Sequence, residues 1–165
     1  MSDDERCYIT ALRILNHRFN SEAELRRKLR VKQFAKETID ATMVRLHKEK
    51  WLDDSRFASA FTRTKANKRV GKLRILRELQ YAGVNNETAA KAVAENIDEE
   101  REGEALRELC AKRARMLVRR HGADVLETAE GRNKLAGYLL KQGYDAALVY
   151  AAIKELRVVD HQPDS

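Results

Sequence analysis

The stretch RVGKLRILRELQYAGV, residues 69–84, decides the fold. At helical spacing its apolar residues Ile75, Leu76, Leu79 and Ala82 form one face, while Arg74, Arg77 and Tyr81 lie opposite. A helix this short is marginal in water by itself, so its apolar face needs partners elsewhere in the chain. Sliding the stretch along the sequence finds it twice more, 50 residues towards the N-terminus and 60 towards the C-terminus.

Leu25, Ile75 and Leu135 correspond, as do Leu29, Leu79 and Leu139. At the following turn Gln33, Gly83 and Gly143 correspond, then Phe34, Val84 and Tyr144. Beyond the turn Ile39, Ala89 and Val149, followed by Met43, Val93 and Ile153, carry the apolar spacing into a second helix. Gly83 and Gly143 stand where a helix C-terminus needs a left-handed residue, and NNE (85–87) and YDA (144–146) suit the start of the next helix. Gln33 replaces the glycine in the first copy, so that C-cap is either strained or built differently. SEAE (21–24) reads as a capping box, with Ser21 as N-cap and Glu24 reaching back from N3. Another helical segment precedes each pair, at about 5–17, 54–67 and 103–121. The acidic, glycine-containing DEEREGE between the second and third units reads as a helix N-terminus or a hinge, and the former is preferred because Asp and Glu favour first turns.

The composition agrees with an all-α chain. One Pro, seven Gly and abundant Ala, Leu, Arg, Lys and Glu suit helices, and the Val, Ile and aromatic runs of strands are missing. Apolar residues at 43% are too many for a disordered chain, while 36% charged residues require wide solvated helix faces. The expected organisation is three tandem three-helix repeats, 1–52, 53–100 and 101–157, forming an elongated, curved molecule with a frayed tail at 158–165.

A net charge of +7 favours an anionic partner, and its distribution says more than its total. Five of the seven residues from 26 to 32 are basic; 58–77 holds seven basic residues and no acid, and 109–123 five and no acid. One such run is ordinarily a solvated helix face, but three at related places ask for a joint explanation. The candidate binding residues are Arg26, Arg27, Lys28 and Arg30; Arg63, Lys65, Lys68, Arg69, Lys72, Arg74 and Arg77; and Lys112, Arg113, Arg115, Arg119 and Arg120.

SEAELRRKL (21–29), WLDDSRFASAF (51–61), GKLRILRELQYAGV (71–84) and YLLKQGY (138–144), in this order and spacing, resemble the RecX family of bacterial recombination regulators over nearly the whole chain. The sequence departs from the family pattern at Gln33 and Leu140. The resemblance implies a non-enzymatic regulator of RecA that lies along or at the end of the RecA–DNA filament. It would suppress ATP hydrolysis, strand exchange and coprotease activity, and bind single- or double-stranded DNA weakly. A simple DNA-binding helical module is the competing expectation, since the same basic residues could contact phosphates with no recombinase present.

Other residues point to structure before chemistry. Trp51 is expected to pack between units, and Asp53 and Asp54 to cap a helix. Cys7 and Cys110 lack any ligand spacing and read as buried free thiols in a reducing, cytoplasmic setting. His17, His47, His121 and His161 are scattered, with no pair at ligand spacing. Gly71-Lys72 is similar to the end of a phosphate loop, but position 66 is Ala where that loop needs glycine. Neither a cofactor nor a metal is expected, and a monomer is the default. The longest apolar run, AALVYAAI (146–153), is far below the roughly 20 residues that span a bilayer.

Overall fold

In a computed structural model, residues 1–159 are described, with side chains to 156. Among these residues the chain forms nine α-helices and one 3-10 helix, and no strand. The helices are α1 (Asp3–His17), α2 (Glu22–Val31), α3 (Lys36–Lys48), α4 (Asp54–Asn67), α5 (Lys72–Tyr81), α6 (Asn86–Asn96), α7 (Glu99–His121), α8 (Ala129–Lys141) and α9 (Ala146–Val159). The 3-10 helix, Ala123–Glu127, lies between α7 and α8, where the sequence carried no signal for it. The helix α9 runs two residues into the stretch expected to fray; the remainder of that stretch, with His161, lies outside the described residues.

Contacts divide the chain into two compact units. Unit one comprises Met1–Thr62 and Leu76–Glu95; unit two comprises Arg63–Ile75 and the chain from Asn96 onward. The three divisions fall inside α4, inside α5 and before the last residue of α6. The core of unit one includes Cys7 and Ala11 of α1, Leu25 and Leu29 of α2, and Ile39, Met43 and Leu46 of α3. The core of unit two includes Leu106, Cys110 and Leu117 of α7, Leu135 and Leu139 of α8, and Tyr144, Val149 and Ile153. The sequence correspondences are therefore correspondences of burial. Leu25, Ile75 and Leu135 are completely enclosed, and so are Leu29, Leu79 and Leu139. Leu76 is half-buried.

The turns share one geometry. Gly83 and Gly143 have φ of 86° and 95°, and Gln33 occupies the same left-handed region at 65°. At each turn the left-handed residue donates back to a carbonyl three residues earlier: Gln33 N to Arg30 O at 2.8 Å, Gly83 N to Gln80 O at 2.9 Å, Gly143 N to Leu140 O at 3.0 Å. The next residue donates to the carbonyl five earlier, as Val84 N does to Leu79 O at 3.1 Å. This is the Schellman closure of a helix C-terminus. Lys50 (φ 61°) and Arg69 (φ 57°) close α3 and α4 in the same way without a glycine.

Helix starts are closed by other helices. In unit one Ser21 accepts from Glu24 N at 3.1 Å, as an N-cap should, and its hydroxyl also donates to the Ala82 carbonyl. Glu24 does not complete the expected capping box in this arrangement; its carboxylate turns to Arg18, 3.4 Å away. Instead Asp54, at the first residue of α4, accepts from Glu22 N at 2.9 Å. Asp53 caps α4 itself, accepting from Arg56 N at 3.0 Å. The expectation of capping thus holds for both, but Asp54 caps α2. In unit two the arrangement repeats with backbone groups. Gly71 N donates to Gln142 O at 2.9 Å and Leu73 N to Gly143 O at 3.0 Å, while Glu102 of α7 accepts from Lys72 N at 2.9 Å. Tyr144 seals the joint by donating from its hydroxyl to Arg69 O at 2.8 Å.

Close approach fixes the glycines. A Cβ at Gly83 would collide with Ala23, and one at Gly71 with the backbone of Gly143. Packing against the Gly143 turn accounts for glycine at position 71.

Gly83→Ala, which meets both the collision and the unfavourable φ, should lose about 2 kcal/mol or more in urea unfolding. Gln33→Gly should gain about 0.5–1 kcal/mol, because relief of left-handed strain exceeds the added chain entropy. Burial raises the Asp54 carboxyl above the ordinary 3.8, although the Glu22 N–H opposes the shift. The folded state therefore holds that proton more tightly, and the residue's contribution falls as pH rises from 3.8 through the folded value. Asp54→Asn, which keeps an uncharged acceptor, should flatten this part of a stability–pH profile, matching the parent at low pH and being at least as stable at pH 7. Asp54→Ala should lose about 1 kcal/mol at every pH where the cap is made.

Candidate nucleic-acid and protein interface

The basic residues divide into those that hold the fold and those that face outward. On α2 Arg26 is half-buried and bonded to Glu22 at 2.7 Å and Asp40 at 2.5 Å. Burial works against its charge, but these two carboxylates raise its pKa overall. Glu22 also faces His47 Nε2 at 2.7 Å; burial would raise its carboxyl, yet the hydrogen bonds of His47 and Arg26 hold it below the usual range. Lys28, half-buried, donates to Asn20 at 2.7 Å, and burial lowers its pKa. Arg27 and Arg30 are exposed. The Arg27 guanidinium lies 5.9 Å from the centre of the Tyr81 ring, which is 83% exposed.

The second run is divided in the same way. Arg74, expected to face outward, is half-buried: its guanidinium donates to Gln142 at 3.2 Å and its Cβ lies against the Gly143 turn. Lys72 is also half-buried, with its ammonium 3.7 Å from Glu102 and 3.9 Å from Glu99. Both belong to the joint that seats the start of α5, which a one-face reading of the helix could not foresee. Arg63 is exposed and donates to Asn96 at 2.9 Å, and Lys65 is half-buried. Lys68, Arg69 and Arg77 are exposed.

On α7 Lys112, Arg115, Arg119 and Arg120 are exposed. Arg113 is half-buried over the Tyr138 ring at 4.5 Å, and its Nε has no hydrogen-bond partner among the described residues. Unit two brings the second and third runs together. Lys68 and Arg69, in the turn after α4, and Lys112 and Arg115 of α7 line one open cleft of about 500 Å³ with Glu108, Leu109 and Ala111. Its carboxylate, Glu108, is already held by Arg69 at 2.5 Å. Four cations around one neutralised acid make an anion-seeking surface, suited to phosphates or to carboxylates of a protein partner.

Trp51 lies at the expected junction but is more than half exposed there. Its indole is 56% exposed on unit one, beside α1 and α4, and does not pack into an interior. The left-handed Lys50 and the bond from Trp51 N to Leu46 O at 2.9 Å turn the chain so that Leu52, at 5% exposure, goes inward. Among the described residues no group of three or more His, Cys, Asp or Glu is placed to hold a metal ion, and no helix is long and apolar enough to cross a membrane.

Two family models match: the first three-helix domain of RecX over residues 7–46 and the second three-helix domain of RecX over residues 53–93. The chain is 34% identical over 145 residues to a regulatory protein RecX of Escherichia coli, covering 81% of each chain. It is 31% identical over 147 residues to that of Clostridium acetobutylicum, covering 88% of this chain and 66% of that one. In structure it is similar to RecX from Lactobacillus salivarius, with TM-score 0.77 and 23% identity over 94% of this chain and 97% of the other. A second regulatory protein RecX gives TM-score 0.79 with 21% identity, over 93% of this chain and 72% of the other. These two share the all-α fold.

The double variant Lys112→Glu, Arg115→Glu should weaken binding to duplex DNA and flatten its salt dependence. Each lost phosphate contact should reduce the log–log slope by about 0.9, read by anisotropy of a labelled duplex over a salt series. Arg26→Gln should leave that slope unchanged and lower the unfolding midpoint only slightly, because its charge is committed to the part-exposed Glu22 and Asp40.

Proposed function

This chain belongs to the RecX family of regulatory proteins, and from that premise we propose that it is a non-enzymatic regulator, mainly an inhibitor, of RecA. In this reading it binds the RecA–DNA filament along its groove or at its end and suppresses ATP hydrolysis, strand exchange and coprotease activity. The helix triplets α1–α3, α4–α6 and α7–α9 act as three repeats, and a monomer works in the cytoplasm without a cofactor.

The observation that carries the reading is the cleft of Lys68, Arg69, Lys112 and Arg115, where two basic runs distant in sequence converge on one exposed surface. A filament of protein on DNA offers both kinds of anion at a regular repeat. Several weak contacts on one chain add through effective concentration, so modest patches suffice for tight binding to the filament and leave binding to bare DNA weak. Arg119 and Arg120 add exposed positive charge to unit two, and Arg27, Arg30 and Arg77 give unit one an exposed basic surface of its own. Arg26, Lys72 and Arg74 support the helices that present it.

The test is RecA's ATP hydrolysis on single-stranded DNA, titrated with this protein well below the number of filament subunits. Inhibition at substoichiometric amounts is expected, with Lys112→Glu, Arg115→Glu requiring roughly tenfold more protein. Inhibition only when the protein is sufficient to cover the DNA would replace the proposal with simple competition for phosphate.

A further inference from the structure

Unit one carries a second cleft, and none of the candidate basic residues lines it. It is bounded by Ile9, Leu12, Arg13, Leu15 and Asn16 of α1, by Phe19, by Lys50 and Trp51, and by Arg56 of α4, and encloses about 540 Å³. That lies within the range of about 300–1,000 Å³ typical of sites for small organic groups. Its two aromatics are open to solvent, Trp51 at 56% and Phe19 at 52% exposure. Its charges are all positive, since the lining includes three cations and no carboxylate.

The aromatics are held in place. The Arg56 guanidinium covers the Phe19 ring at 5.0 Å. Trp51 is tied by its backbone N–H, which donates to Leu46 O at 2.9 Å. More than half of the residue is left exposed, and it lines the cleft. Arg13 and Lys50 have no ion pair among the described residues, so their charges face whatever enters.

Exposed aromatic rings beside cations that hold no ion pair among the described residues match a ligand that alternates flat rings with anions. We propose that this cleft is a stacking subsite for single-stranded nucleic acid, in which one or two bases lie against Trp51 and Phe19 while Arg13, Lys50 and Arg56 hold the flanking phosphates. A duplex does not fit the site, because its bases are already stacked and their faces are closed. An acidic peptide would satisfy the cations and leave both rings wet. The proposal stands apart from the regulatory reading, since it concerns this chain and a bare strand.

Trp51 is the single tryptophan of the chain, so its emission reports on the cleft directly. The full-length protein is titrated with an oligothymidylate of about 12 nucleotides, an abasic strand of the same length, and polyglutamate; no RecA is present. The expected result is saturable quenching of Trp51 by oligothymidylate alone, with the abasic strand binding about tenfold more weakly in anisotropy. Phe19→Ala and Arg13→Glu, both at exposed positions, should each weaken oligothymidylate binding about fivefold or more without moving the thermal unfolding midpoint. If Phe19→Ala does lower that midpoint, Arg13→Glu decides alone. Equal affinity for the two strands with unchanged emission would overturn the proposal and assign strand binding to the basic surfaces elsewhere. Equal quenching by polyglutamate would overturn it in favour of an acidic-peptide site.

Discussion

Unsatisfied N–H groups at the start of one helix meet unsatisfied carbonyls at the end of another, and the fold is organised around that meeting. A helix leaves donors free at its first turn and acceptors free at its last, with partial charges of opposite sign at the two ends. In unit two, the donors of Gly71 and Leu73 close on the carbonyls of Gln142 and Gly143, where α8 ends, and Glu102 takes the intervening donor of Lys72. Unit one solves the same problem with side chains: Ser21 reaches the Ala82 carbonyl where α5 ends, and Asp54 takes the donor of Glu22. Every part of this joint needs its backbones close together. That constraint explains glycine at 71, 83 and 143 and the half-burial of Lys72 and Arg74 beside the seam.

Much of the helical architecture was legible because burial follows periodicity. Leu25, Ile75 and Leu135 correspond in sequence and are equally enclosed, and the left-handed turns fall at Gln33, Gly83 and Gly143 as the alignment requires. Signals that depend on a distant partner were not legible. Nothing local distinguishes Asp54, which caps another helix, from Asp53, which caps its own. Lys50 and Arg69 close helices in a conformation usually marked by glycine, and no glycine marks them. Trp51, where one helix ends and the next begins, reads as a packing residue; the left-handed Lys50 before it leaves it more than half exposed and sends Leu52 inward.

The same asymmetry governs the candidate interface. A run of arginines announces positive charge but not its use. Arg26 and Arg27 are neighbours, yet one is bound by two carboxylates while the other stands free of the core beside Tyr81. Sequence could group Lys68 with Arg69 and Lys112 with Arg115; only the fold brings the two pairs to one cleft. Ion pairs at the surface contribute little to stability. The division between structural and outward-facing cations therefore matters more for what the protein touches than for how firmly it folds.

Cys7 and Cys110 are both free and buried, and burial pushes the Cys110 thiol up to about 11 and raises that of Cys7 as well. At pH 7 only about one Cys110 in ten thousand is a thiolate, the form that reacts with maleimides and other electrophiles. The native chain is thus chemically quiet towards thiol reagents. A single cysteine introduced on an exposed helix face would be modified in preference to both native thiols, so fluorophores or spin labels can be attached at chosen positions without replacing either core residue.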